Sequence, residues 1–237
     1  MKRILLTGPL LCGMAFAQVH KTKVNHPLHK TPTHKAMTAI DSLSYAMGVQ
    51  TAVYFKDQGA SKINFEMIRK AYEDVYHNKT PLFSPQEADQ IIRTNVEKFM
   101  AQKVEDEKLA GKKFLEQNRK KPGVVTLDNG LQYEVLTRGT GPIPTATDTV
   151  QANYVGTLLN GKEFDNSYKR GEPITIPVTG VIRGWTEALE LMPVGSKWRL
   201  FIPSDLAYGD RGAGAGAIPG GATLVFEIEL LGIVHKN

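Results

Sequence analysis

The chain has 237 residues, 41% hydrophobic and 22% charged, a balance that excludes collagenous, wholly disordered and polytopic membrane proteins and leaves room for one or two globular domains. Its formal net charge of +5 is unevenly placed, with +4 from residues 18–36, +2 from residues 37–121 and −3 from residues 122–237. Basicity concentrated in a tail, rather than on a folded face, argues against nucleic acid as a partner.

Residues 1–17 read as a secretory signal peptide. Lys2 and Arg3 precede an apolar run over residues 4–17 that ends in Ala15-Phe16-Ala17 and is too short to span a bilayer. Cleavage there removes Cys12, the single cysteine, so the mature chain of 220 residues carries no thiol. Thiol nucleophiles, disulfides and Cys-ligated metals are thereby excluded. The expected location is the periplasm, after secretion across the inner membrane. The competing reading is a lipoprotein signal that lipidates Cys12 and anchors the protein at the outer membrane; the bulky Leu11 and the interruption of the apolar run by Cys12 weigh against it.

Residues 18–36 hold Lys21, Lys23, Lys30 and Lys35 together with four of the six histidines, His20, His26, His29 and His34, among Thr and Pro. This composition predicts a disordered basic tether. Nothing around the histidines fixes a coordination geometry, so no metal is assigned to them.

Residues 37–121 read as helices. Ile40, Leu43, Met47 and Tyr54 fall near one face of a first helix, and Phe65, Ile68, Tyr72 and Val75 near one face of a second that Asn64 can cap. Ser84-Pro85-Gln86-Glu87 offers an N-cap, a proline at the first helical position and a capping-box glutamate. No proline follows until Pro122, which predicts an unbroken helix over about 85–120 on the order of 50 Å long. Its first half carries an apolar stripe of Ala88, Ile91, Ile92, Val96, Phe99 and Met100, whereas 11 of the 20 residues over 102–121 are charged. Three amphipathic helices make a meagre core for a monomer, so this region is read as a dimerisation domain with the long helix as a rigid arm. The alternative is a small intramolecular bundle with a frayed connector.

At Pro122-Gly123 the composition changes, since 17 of the 22 glycines lie beyond residue 121. The periodicity changes to two: Leu131, Tyr133 and Val135, then Val150, Ala152 and Tyr154, then Ile174, Ile176 and Val178. Asn160-Gly161 marks a hairpin turn. A single short helix is expected over residues 185–192, closed by Pro193 and Gly195, and strand-like runs resume over residues 197–202 and 223–231. Residues 122–237 are thus expected to form an antiparallel sheet covered by one helix, and the whole chain to be of the α+β class.

No HExxH, GxxxxGK[ST] or GxSxG motif occurs, and the glycine-rich stretch over 209–221 fails the dinucleotide-binding spacing and runs into a strand. It reads as a loop. Between His77 and His235 there is no histidine to activate a serine, so hydrolysis by an activated nucleophile is improbable. What the C-terminal part does hold is a set of aromatics, Tyr154, Phe164, Trp185, Tyr208 and Phe226, beyond what a small core demands.

The blocks Val150-Gln151-Ala152-Asn153-Tyr154-Val155-Gly156-Thr157, Gly161-Lys162-Glu163-Phe164-Asp165-Asn166-Ser167 and Val181-Ile182-Arg183-Gly184-Trp185 closely resemble the FKBP-type peptidyl-prolyl isomerases. So do Ile202-Pro203, Leu206-Ala207-Tyr208-Gly209 and Ala222-Thr223-Leu224-Val225-Phe226-Glu227, and the blocks keep the family's order through residues 126–233. The helical part is more loosely similar, by arrangement, to the dimerising N-terminal domain of the secreted macrophage infectivity potentiator-like branch.

The resemblance implies an FKBP-like antiparallel sheet wrapped on one short helix over 122–237, preceded over 37–121 by an all-α dimerisation domain with a long connecting helix. It implies a peptidyl-prolyl cis-trans isomerase (EC 5.2.1.8), or rotamase, that needs no cofactor and no metal. Its partners would be proline-containing unfolded or partly folded proteins, a second copy of itself, and macrolide inhibitors of the FK506 and rapamycin type. Carried over by position, the pocket has Trp185 as floor and Tyr154, Phe164, Val181, Ile182, Tyr208 and Phe226 as walls. Ile174 and Ile218 complete the substrate-binding set, with Ile174 where the family often has an aromatic. The family often has an aliphatic residue near Ala217, beside Ile218, in a loop over 209–219 that is one residue longer here than in the smallest members, and a smaller wall there would loosen the grip on substrate. Tyr154, Asp165 and Tyr208 would stand nearest the chemistry, with the Tyr208 hydroxyl or the Ile182 N–H holding a substrate carbonyl.

That chemistry suits the residue set, because an X-Pro bond turns over a barrier of roughly 20 kcal/mol set by amide resonance and needs neither a proton nor a nucleophile. A water-poor aromatic pocket favours the twisted state, which has less charge separation than the planar amide. Asp165 either orients Tyr154 or faces the twisted carbonyl carbon, or it pairs with Arg170 or Tyr154 and fixes the loop. Trp198 and Phe201 are read as core. The rival function is a non-catalytic chaperone that uses the same pocket and the helical arms to grip peptides.

Overall fold

The computed structural model describes residues 37–234. The signal segment with Cys12, the basic tether with its four histidines, and His235 lie outside the described residues. The chain divides into two compact units, Met1–Ala46 and Met47–Asn237, and the boundary falls inside the first helix.

Helix α1 (Ala39–Asp57) opens at Thr38, whose hydroxyl accepts from the Asp41 N–H while the Asp41 carboxylate accepts from the Thr38 N–H, each at 3.1 Å. In the second unit, α2 (Phe65–Tyr76) is capped by Asn64, whose side chain accepts from the Glu66 and Met67 N–H groups. Helix α3 (Pro85–Asn118) begins with the capping box expected of its sequence: Ser84 Oγ accepts from the Glu87 N–H at 3.3 Å, and the Glu87 carboxylate accepts from the Ser84 N–H at 2.8 Å. The helix runs unbroken for 34 residues, close to the predicted span.

The apolar stripes of these helices are largely uncovered. Helix α1 buries no residue, and Tyr54, Phe65, Ile68, Tyr72, Ile91 and Met100 are all exposed. Small contacts tie α1 to α3 at one end, where Lys103 Nζ donates to the Asp57 carbonyl at 3.1 Å and a Cβ on Gly59 would stand 2.9 Å from the Phe99 carbonyl oxygen.

The C-terminal sheet has seven antiparallel strands: β1 (Val124–Thr126), β2 (Gln132–Thr137), β3 (Thr149–Leu158), β4 (Glu163–Asn166), β5 (Ile174–Pro177), β6 (Lys197–Ile202) and β7 (Leu224–Val234). Their order is β1-β2-β6-β7-β3-β4, and β3 also pairs with β5. Ten-residue β3 therefore serves two partners along one edge, β5 at Thr149–Ala152 and β4 at Val155–Thr157. The β3–β4 hairpin closes at Asn160-Gly161, where Leu158 N–H donates to the Lys162 carbonyl at 2.9 Å and Gly161 takes φ 81°, a left-handed conformation open to glycine at little cost.

One face of the sheet packs on α5 (Arg183–Leu189), which buries Trp185, Ala188 and Leu189. The helix approaches so closely that a Cβ on Gly184 would lie 2.5 Å from Ile202 Cγ2. Leu131, Val150, Leu189, Met192, Leu200, Ile202, Leu224, Ile228 and Leu230 are wholly buried between them, each contributing about 1.5–3 kcal/mol. Trp198 and Phe201 are buried as expected. Three expectations need correction. The helix ends at Leu189, because Leu191 and Met192 continue as turns whose N–H groups reach Ala188 and Leu189. The last strand runs on to Val234 because β3 pairs with it as far as Thr149. A second short helix, α4 (Ser167–Arg170), follows β4, held at its start by the Asn166 side chain.

Candidate active site

A well of about 560 Å³ opens where the ends of several elements converge over α5. Trp185, 4% exposed, forms the floor; Tyr154 reaches in from β3, Phe164 and Asp165 from β4, and Phe226 from β7. The rings meet edge to face: Trp185 with Tyr154 at 5.1 Å and 86°, Trp185 with Phe226 at 5.3 Å and 88°, and Phe164 with Phe226 at 5.5 Å and 83°. Such pairs add about 0.5–1.5 kcal/mol each beyond burial. Gly156 makes the cluster possible, since it pairs with Phe226 across β3–β7, and a Cβ there would fall within 2.8 Å of the Phe164 and Phe226 rings.

Ile174 and Ile176 line one side of the well from β5, and Val181 and Ile182 another from the segment entering α5. Ile182 is the N-cap of α5; its carbonyl accepts from the Trp185 N–H at 2.9 Å, while its own N–H has no partner among the described residues. The loop between β6 and β7 supplies the remaining wall through Tyr208, Ala213, Gly214, Ala217 and Ile218. The Tyr208 hydroxyl has no hydrogen-bond partner among the described residues, and burial together with the nearby Asp165 charge raises its pKa above the usual tyrosine value.

Among the described residues Asp165 is the sole acid lining this well, and both of its oxygens are engaged. Tyr154 Oη donates to Asp165 Oδ2 at 2.5 Å, Arg170 Nη1 pairs with Asp165 Oδ1, and the Asn166 N–H donates to the same Oδ1 at 2.8 Å. Arg170 Nη2 also donates to Tyr154 Oη at 2.9 Å, and its guanidinium stands 5.3 Å from the Tyr154 ring centroid. Burial, then the hydrogen bond to Asp165, raise the Tyr154 pKa. Helix α4 carries Arg170 into this position. Its Ser167 hydroxyl accepts from the Tyr154 N–H at 2.8 Å and so binds the helix to the strand bearing the tyrosine.

Every residue that the sequence singles out, namely Tyr154, Phe164, Asp165, Ile174, Val181, Ile182, Trp185, Tyr208, Ile218 and Phe226, lies on this one well. Ile176, Gly180, Ala213 and Gly214 line it as well without having been singled out. Ile176 could have been found, because it shares the strand face of Ile174 two residues away. Gly180, Ala213 and Gly214 carry no such signal.

The lone carboxylate is already held by a guanidinium and a phenol, no other lining side chain is a strong nucleophile, and the walls are apolar, so the well suits a conformational change in a bound peptide. The family model for FKBP-type peptidyl-prolyl cis-trans isomerases matches residues 141–231, and the one for the domain amino terminal to FKBP-type peptidyl-prolyl isomerase matches residues 40–135. The chain is 43% identical over 207 residues to the FKBP-type 22 kDa peptidyl-prolyl cis-trans isomerase of Escherichia coli, covering 86% of this chain and 99% of that one. It is 40% identical over 200 residues to the outer membrane protein MIP of Legionella longbeachae, covering 81% and 85%. The crystal structure of FkpA from Escherichia coli superposes with a TM-score of 0.66 at 36% identity, over 84% of this chain and 98% of that one. The chain belongs to the FKBP-type peptidyl-prolyl cis-trans isomerase family, and its activity is the isomerisation of X-Pro bonds.

Proposed function

We propose that the X-Pro bond turns inside this well, that Trp185, Phe164, Phe226, Val181, Ile182, Ile174 and Ile218 seat the prolyl segment, and that Tyr154, Asp165 and Tyr208 act on the twisting amide. The observation that carries this reading is the edge-to-face cluster of Tyr154, Phe164, Trp185 and Phe226 around a single paired carboxylate. An apolar, aromatic surface leaves the planar, charge-separated amide poorly solvated, which lowers the barrier to its twisted form. The free Tyr208 hydroxyl and the Ile182 N–H are the donors open to a substrate carbonyl. With both oxygens engaged, Asp165 is best suited to orienting Tyr154 and setting the field at the mouth of the well.

The same reading makes the clients exported, proline-containing chains met in the periplasm after removal of residues 1–17. It makes the working form a homodimer, joined through residues 38–100 and presenting two wells on helical arms. The relative named as an outer membrane protein supports an envelope location, and the exposed stripes of α1, α2 and the start of α3 support pairing. Among the described residues no helix is long and apolar enough to cross a membrane.

The test is cis/trans exchange in a short apolar-X-Pro-Phe peptide, followed by NMR with residues 18–237 and with rapamycin as competitor. Exchange that accelerates and is lost on adding rapamycin supports the well as the active site. The exposed helical faces also favour a second reading, a holding chaperone, and the two separate in Tyr208→Phe: turnover falls while suppression of client aggregation survives.

A further inference from the structure

The loop that joins β6 to β7 has two faces. One lines the well through Tyr208, Ala213, Ala217 and Ile218. The other lies against the second half of α3, where Lys108 Nζ stands 2.7 Å from Asp210 Oδ1. The backbones touch there. A Cβ on Gly221 would lie 2.4 Å from the Val104 carbonyl oxygen, and one on Gly220 would lie 2.9 Å from Val104 Cγ2. Further along α3, Gly111 faces the point where the loop enters β7, and a Cβ there would lie 2.2 Å from Thr223 Oγ1.

This contact explains a glycine that the helix itself does not want, since glycine inside a helix is less favourable than alanine. The loop is braced across its width: Ala213 and Ile218 exchange backbone hydrogen bonds at 3.0 and 3.1 Å, and the Gly221 N–H donates to the Gly209 carbonyl at 2.9 Å. A push on the helix-facing side therefore moves the well-facing side with it.

We propose that residues 104–111 of α3 are a positioning element for the isomerase well, with Gly111 as the residue that lets the arm seat the loop bearing Tyr208 and Ile218. The proposal rests on the well being the active site. It makes the arm part of the catalytic domain's working geometry rather than a spacer.

The experiment compares the wild type, Gly111→Ala, Thr223→Ala and the double variant, all as residues 18–237, by prolyl exchange, thermal melting and amide hydrogen exchange. In Gly111→Ala we expect kcat/KM to fall about tenfold, within the range that ångström-scale misplacement of a working group produces. Amides over 208–218 should exchange faster while those of β3 keep their protection, and melting should fall by less than a clash of this closeness alone would cause, because alanine favours the helix. The double variant should recover most of the wild-type rate, since removing Thr223 Oγ1 reopens the space. A Gly111→Ala rate equal to the wild type, or a double variant as slow as the single, overturns the proposal. A wild-type rate unaffected by Tyr208→Phe strikes instead at the reading of the well.

Discussion

Asp165 sits at the rim with its carboxylate shared between Arg170 and Tyr154, and its side chain is 42% exposed, so its replacement should cost little stability. Asp165→Leu is expected to lower kcat/KM about tenfold, less than the roughly 10²–10³ lost with a donor on the reacting oxygen because Asp165 acts through Tyr154, while the melting temperature stays near that of the wild type. Prolyl exchange and calorimetry on the same sample check both. Gly156→Ala has a different signature: its Cβ enters the Phe164 and Phe226 rings, so activity and stability should fall together, the latter by about 1–3 kcal/mol in a urea titration. The tyrosines set the alkaline limit. Burial raises the pKa values of Tyr154 and Tyr208, and burial with the bond to Glu229 raises that of Tyr168 to about 12. The folded state thus holds these protons above pH 10 where the unfolded chain releases them, so their contribution is full below pH 10 and lost as pH rises through the folded values. Melting temperatures from pH 8 to 12, with phenolate absorbance at each step, should decline only above about pH 10. Eight of the ten residues read from the sequence stand in the strand and loop blocks whose order the family keeps, whereas Ile174 and Ile218 fall between blocks and are reached by position alone. Arg170 came into view only as one candidate partner of Asp165, since its place depends on a one-turn helix that four residues of sequence barely announce.

Among the elements, α3 shows how far local signals reach. Ser84, Pro85 and Glu87 place its start, and the absence of proline up to Pro122 sets its length. Ser84→Ala should remove one capping-box bond and cost about 1 kcal/mol, seen as faster amide exchange confined to the first turn of the helix. β2, β3 and four-residue β5 declare themselves by alternation, and β6 and β7 by strand-like apolar runs, whereas β1 and β4, at three and four residues, show no period of two. The end of α5 was placed three residues late because Leu191 and Met192 continue the apolar pattern past the helix, Met192 wholly buried in the core from a turn. Burial, not helicity, dictates an apolar side chain there.

For the molecule as a whole, the decisive contrast is between a C-terminal sheet with a closed core and helices that leave Tyr54, Phe65, Ile68, Tyr72, Ile91 and Met100 in solvent. Composition could reveal the two regions, and helical periodicity could reveal the stripes, but neither says what covers them. If the cover is a second copy, residues 18–237 sediment as a dimer and Ile68→Asp shifts them towards monomer with the isomerase rate per well unchanged; a monomeric wild type would sink the idea. The sheet ends in strands of only three and four residues at β1, β4 and β5. So short a margin offers an extended, partly folded chain almost no row of free backbone groups to pair with. If the well receives half-made chains as proposed, this margin lets the protein meet them without becoming a seed for their aggregates.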